Sequence, residues 1–65
     1  MLNNHLYNLM VQIVQENKSL WRIKNKYLAD AGECEECKKF WEKMIEDKKN
    51  HVDDLMELIK SHVAQ

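Results

Sequence analysis

Two cysteines and the single glycine of the chain lie close together in the stretch AGECEEC, at residues 31–37. Cys34 and Cys37 are three positions apart, a spacing that brings both sulfurs to one side of a helix. A helix N-terminus favours a thiolate, whereas the glutamates around this pair oppose one. The motif therefore predicts a redox-responsive pair, a pair of metal ligands, or two cysteines without a chemical role.

Zinc is the metal that suits such a pair, because two thiolates make half of a tetrahedral zinc site. His5 and His62 are candidates for the other half, since both are expected at the open end of a folded-back chain. Two chains packed in opposite directions would bring these histidines to Cys34 and Cys37 of the partner. Two chains packed in the same direction would instead form an all-thiolate site.

A second group of polar residues interrupts the apolar pattern. Glu16 stands between apolar neighbours in the first half, and Lys48 and His51 do so in the second half. If the chain reverses at Gly32, residues whose numbers sum to about 64 lie opposite each other in an antiparallel pair of helices. This register predicts an ion pair between Glu16 and Lys48, with His51 one turn away.

The same region offers an alternative metal site. Asp47 and His51 are four residues apart and lie on nearly the same side of a helix, where Glu16 from the first half could join them. A dimer axis would duplicate this carboxylate and imidazole site. The predicted ligands are Glu16, Asp47 and His51, and the metal would be iron or manganese.

The run IEDKKNHVDDLMELIKSHV resembles the second helix of ferritin-like proteins of the rubrerythrin and encapsulated-ferritin type. Glu16 matches the glutamate midway along the preceding helix of that family. The resemblance implies a helical hairpin that dimerises, and in the family two half-sites build one di-iron ferroxidase centre. Lys48 stands where the family has a metal-binding glutamate, which implies a hairpin without ferroxidase activity.

Composition predicts the elements that position these residues. The chain has 65 residues, no proline, one glycine and 45% hydrophobic residues, which is typical of an all-α protein. Apolar residues recur every three or four positions on both sides of Gly32. We therefore predict a single domain over residues 1–65, an antiparallel helical hairpin with helices at residues 3–30 and 34–63.

An alternative fold follows from a heptad register that runs through Gly32 without a break, since such a register is typical of one long coiled-coil helix. The hairpin is favoured because the long seam would contain Glu16, Asp30, Lys48, His51 and His62. The apolar stripes are also wider than a two-position seam.

The width of the stripes predicts self-association, because a helix in a lone hairpin has only one neighbour. A homodimer that forms a four-helix bundle would cover the flanks of both helices. The predicted dimer interface consists of apolar residues beside the hairpin seam: Met10, Val14, Trp21, Leu28, Ile45, Val52, Met56 and Ile59.

Net charge and hydropathy argue against nucleic acid and membrane as partners. The net charge is -1, which gives no reason to expect nucleic acid. The sequence contains no run of 18 or more apolar residues, which is the pattern that predicts a membrane helix. The expected location is therefore cytoplasmic. We predict no catalytic residue and a non-enzymatic oligomerisation or interaction protein, which binds itself or a helical protein partner. Zinc or redox chemistry at the cysteines and iron at the carboxylate site are the alternatives.

Overall fold

The computed structural model describes residues 3–63, which form two helical arms joined by a tight bend. The first arm contains α1 (Asn4–Arg22), a π-helical turn (Ile23–Tyr27) and α2 (Leu28–Asp30). The second arm is α3 (Glu35–Val63). The predicted all-α fold and both predicted helices are confirmed, with the helix bounds shifted by at most one residue. Among these described helices, none is both long and apolar enough to cross a membrane.

Asn3 sets the start of α1. Its side-chain Oδ1 accepts a 2.7 Å hydrogen bond from the backbone N–H of Leu6, and its carbonyl accepts one from Tyr7 at 3.0 Å. Asparagine is among the preferred N-cap residues because its short side chain pairs with an N–H that lacks a partner in the first turn. The first helix therefore begins at a residue whose side chain satisfies the helix end.

The π-helical turn was not predicted. Here the backbone N–H of Leu28 donates to the carbonyl of Ile23, five residues earlier, instead of four as in an α-helix. The side-chain amide of Asn25 supplies a further donor to the carbonyl of Trp21, at 2.8 Å. Compared with an uninterrupted α-helix, the extra residue in this turn changes the orientation of the following residues by about 100° around the helix axis. This rotation turns Leu28 towards α3.

Gly32 forms the bend, where the sequence analysis placed the reversal, in the left-handed conformation with φ of 59°. Hydrogen bonds from Gly32 to Ala29 and from Cys34 to Ala31 close the turn, at 3.2 Å and 3.1 Å. The alternative of one long coiled-coil helix is wrong, because the chain reverses here and the left-handed residue ends the first arm.

The two arms pack along their whole described length and give an elongated molecule of 49 × 16 × 13 Å. Leu6, Leu20 and Ile23 are the buried apolar residues among residues 3–63, and Ile23, at the start of the π-helical turn, is only 1% exposed. An aromatic contact lies near each end of the pair: Tyr27 packs on Trp41 near the bend, with ring centroids 5.0 Å apart, and His5 contacts His62 at the open end. The core of one hairpin is therefore a single thin seam.

Candidate functional site

Glu16 is the centre of a polar cluster inside the hairpin seam. It lies on α1 between Ile13 and Leu20, and it is only 8% exposed. Its Oε2 accepts a 3.0 Å hydrogen bond from Lys48 Nζ, and its Oε1 accepts one of 3.1 Å from the side-chain amide of Gln12. Both carboxylate oxygens therefore accept a hydrogen bond. The structure also brings together Glu16 and Lys48, the two residues that the predicted antiparallel register places opposite each other.

His51 is the outer member of this cluster. Its Nδ1 lies 3.7 Å from Oε1 of Glu16, while most of its side chain is open to solvent. Gln12, which sequence reasoning missed, belongs to the same cluster because it precedes Glu16 by four residues on α1. The four-residue spacing of a glutamine and a carboxylate on a helix was the signal that could have found it.

The pKa of the Glu16 carboxyl lies below its ordinary value of 4.5. Burial by itself raises that pKa, because removal from water penalises the charged form. The hydrogen bonds from Lys48 and Gln12, together with the charge of Lys48 and the charge that His51 carries when it is protonated, outweigh burial. The surroundings of Glu16 therefore favour the ionised carboxylate and a permanent attraction to Lys48.

Within one chain the described residues do not bring together all three ligands predicted for the carboxylate metal site. Asp47 is exposed on α3, and no hydrogen bond or ion pair described within residues 3–63 joins it to Glu16. In the same range no group of three or more His, Cys, Asp or Glu side chains is placed to hold a metal ion. The ammonium group of Lys48 supplies the positive charge beside Glu16.

Cys34 and Cys37 lie at the bend and are joined by a disulfide, with their Cα atoms 5.3 Å apart. A three-residue spacing at a helix start brings the two Cα atoms within the range that a disulfide requires. Cys34 and Cys37 are both exposed to solvent.

His5 and His62 meet at the opposite end of the hairpin, where their rings form an edge contact with centroids 4.7 Å apart. The molecule is 49 Å long, so one chain cannot bring these histidines to the cysteines of the bend. The four-ligand zinc site predicted from Cys34, Cys37, His5 and His62 would require a second chain, and reduced cysteines to provide thiolates.

The predicted interface residues divide into exposed and half-buried side chains. Val14, Trp21 and Met56 are exposed, and Trp21 is 57% exposed although it is the largest side chain of α1. The remaining predicted interface residues are half-buried. Met10, Ile45, Val52 and Ile59 lie at the flanks of the seam, whereas Leu28 follows the π-helical turn and is oriented towards α3.

A groove on α1 lies within this apolar surface. It has a volume of about 290 Å³, is open to solvent, and is lined by Tyr7, Met10, Val11, Val14 and Gln15. Tyr7 and Val11, which the sequence did not assign to the interface, are 56% and 40% exposed. Tyr7 precedes Met10 by three residues and Val11 precedes Val14 by three, and this helical spacing was the signal that could have included them.

Comparison with known proteins gives no relative from which a function could be transferred. No protein-family model matches the chain, and no similar curated protein or solved structure is found. The geometry of these residues is therefore the basis for a functional proposal.

Proposed function

We propose that the protein is a self-associating helical hairpin, whose homodimer is a four-helix bundle. The observation that carries this proposal is a face of large apolar side chains that the single hairpin leaves in contact with water. Contiguous apolar surface on a small chain is typical of a protein interaction site. A domain of this size also lacks a core large enough to be comfortably stable alone.

Both helices contribute to one face. At about 100° per residue, Met10, Val14 and Trp21 lie on one rotational side of the buried residues of α1. Met56 and Ile59 lie on the same rotational side of the seam residues of α3. Because α1 and α3 run antiparallel, the same sense of rotation places both stripes on the same side of the hairpin. The stripes together form what we term the flank face: Tyr7, Met10, Val11, Val14, Trp21, Ile45, Val52, Met56, Ile59 and Val63.

The size of this face suits a second copy of the chain. One side of a body 49 Å long and 16 Å wide has a footprint of about 780 Å². A stable protein interface buries about 800 Å² on each partner. A second hairpin of the same length covers the flank face from end to end, whereas a single helix would leave one of the two stripes exposed.

Charge favours one arrangement of the two hairpins. Residues 3–30 carry Lys18, Arg22, Lys24 and Lys26 against two acidic residues, while residues 35–63 carry six lysines against eight acidic residues. Pairing α1 with α3 of the partner places segments of opposite net charge together. This arrangement puts both bends at the same end of the bundle and sets the α1 groove opposite Met56 of the partner subunit.

Two substitutions on α3 test the proposal directly. Met56 and Leu58 are 41% and 48% exposed, but they lie on opposite sides of the α3 seam. We expect sedimentation equilibrium to give twice the chain mass of 7.8 kDa for the wild type and for Leu58→Glu. Met56→Glu should give the monomer mass, because it places a charge within the proposed interface.

The same measurement can reject the proposal. A wild-type protein that remains monomeric at concentrations well above the micromolar range would show that the flank face does not bind a second copy. Equal dimerisation of the Met56→Glu and Leu58→Glu variants would show that the interface lies elsewhere. Circular dichroism on both variants establishes that each retains its helices.

A further inference from the structure

The disulfide at the bend occupies the first turn of α3. The carbonyl of Cys34 accepts a 3.0 Å hydrogen bond from the N–H of Lys38, which is the first bond of the helix. The sulfur of Cys34 accepts a second hydrogen bond, of 3.2 Å, from the backbone N–H of Cys37. Cys34 is therefore the N-cap of α3, with its sulfur in the place where serine, aspartate or asparagine usually caps a helix.

This position distinguishes the two sulfurs chemically. A negative charge on the sulfur of Cys34 would face the N–H of Cys37 and the positive end of the α3 dipole. Among the hydrogen bonds described for residues 3–63, none is donated to the sulfur of Cys37. Both residues are exposed, so a small reactant can reach either one.

The surroundings of the pair are acidic. Glu33, Glu35 and Glu36 are exposed beside the cysteines, and Lys38 forms an ion pair with Glu35 at 3.7 Å. No ion pair within the described residues involves Glu33 or Glu36. The remaining negative charge attracts a positively charged reactant and repels an anionic one.

We propose that Cys34 and Cys37 form a reversible dithiol–disulfide centre in which Cys34 is the attacking thiolate, and that its preferred partners are positively charged disulfides. Three features support this proposal: the hydrogen bond from Cys37 N–H to the sulfur of Cys34, the exposure of both cysteines, and the acidic residues around them. This proposal is independent of the dimer, because each chain contains both sulfurs.

The exchange balances without any metal or cofactor. In the reduced protein the Cys34 thiolate attacks one sulfur of an external disulfide, a mixed disulfide forms at Cys34, and one external thiolate leaves. The Cys37 thiolate then attacks the sulfur of Cys34, and the second external thiolate leaves. The external disulfide gains two electrons and two protons and becomes two thiols, while the protein dithiol is oxidised to the Cys34–Cys37 disulfide. A small dithiol such as dithiothreitol reverses the reaction.

Single-cysteine variants identify the attacking residue. Cys37→Ser retains Cys34, and Cys34→Ser retains Cys37 while serine keeps a good N-cap. The probe is cystamine, a disulfide with two positive charges, and mass spectrometry separates the mixed disulfide from a disulfide between two chains. We expect Cys37→Ser to form the mixed disulfide several-fold faster than Cys34→Ser at neutral pH. Equal rates, or a faster reaction of Cys34→Ser, would overturn the assignment of Cys34.

Charge preference is tested in the Cys37→Ser background by comparing cystamine with oxidised glutathione, which is anionic. We expect cystamine to react several-fold faster at low ionic strength, with the preference reduced by salt. Adding Glu36→Gln should reduce the preference, whereas Glu57→Gln, at the far end of α3, should leave it unchanged. Equal rates for the two disulfides would overturn the proposed partner class. A wild-type disulfide that resists excess dithiothreitol in the folded protein would overturn reversibility.

Discussion

Lys48 Nζ lies 3.0 Å from Oε2 of Glu16, and this hydrogen bond joins α1 to the middle of α3 inside the hairpin seam. The side chains of Glu16 and Lys48 are only 10% and 18% exposed. A partly buried pair of this kind selects one register of the two helices, because any sliding of α3 along α1 would leave a charge without its partner.

Loss of Lys48 is therefore expected to destabilise the hairpin. Lys48→Met leaves the Glu16 carboxylate in the seam without its ammonium partner, which costs about 3 kcal/mol for a buried pair. Urea denaturation at fixed protein concentration measures the change, and Lys43→Met provides a control at an exposed lysine of the same helix. A change no larger than that of the control would show that water solvates Glu16 in place of Lys48.

Removing both partners should recover most of the loss. The double variant Glu16→Met, Lys48→Met replaces the pair with apolar side chains of similar length, and such replacements of buried pairs are often neutral or stabilising. We expect the double variant to be more stable than Lys48→Met alone. A double variant that is less stable than Lys48→Met would show that the ion pair itself contributes a net stabilisation.

Acid should weaken the hairpin through Glu16. The pKa of this carboxyl is lower in the folded protein than its ordinary value of 4.5, so its contribution to stability is complete above that pH and is lost as the pH falls through the folded-state pKa. We expect the free energy of unfolding of the wild type to fall more steeply below pH 4.5 than that of Glu16→Gln. Parallel curves for the two proteins would contradict the assignment.

The bend makes a prediction that depends on backbone conformation alone. Gly32 has a φ of 59°, and a Cβ atom added there would meet no atom within 4 Å. Gly32→Ala should therefore cost about 1–2 kcal/mol, from the left-handed conformation and not from a steric clash. Gly32→Asn should cost less, because asparagine adopts this conformation more readily. Equal losses for both variants in thermal denaturation would indicate a different origin.

Much of the fold follows from local patterns in the chain. The three- and four-residue spacing of apolar residues predicts both helices, and Gly32 predicts the bend because few other residues adopt its conformation. Once the bend is located, antiparallel geometry places Glu16 opposite Lys48. These features depend on neighbours along the sequence or on one simple symmetry of the hairpin.

Other features depend on interactions that local patterns do not record. The π-helical turn begins at the buried Ile23 and ends at Tyr27, which packs on Trp41 on the other side of the bend. The oxidation of Cys34 and Cys37 depends on a chemical equilibrium with the surroundings, since the same spacing serves a dithiol, a disulfide or a metal. Neither outcome could be read from residue types and spacing.

The five residues of the π-helical turn, Ile23–Tyr27, amount to an α-helical turn with a single-residue insertion. A chain shortened by one residue in this turn could close it as a regular α-helix, in which the residue equivalent to Leu28 follows Ile23 by four positions and keeps the same orientation towards α3. Relatives of this protein could therefore differ in length by one residue at this point and still form the same hairpin. If a sequence alignment permits no gap inside a helix, it cannot match both sides of this turn in two chains that differ by one residue there. It would misalign either the bend or all of the residues before the turn.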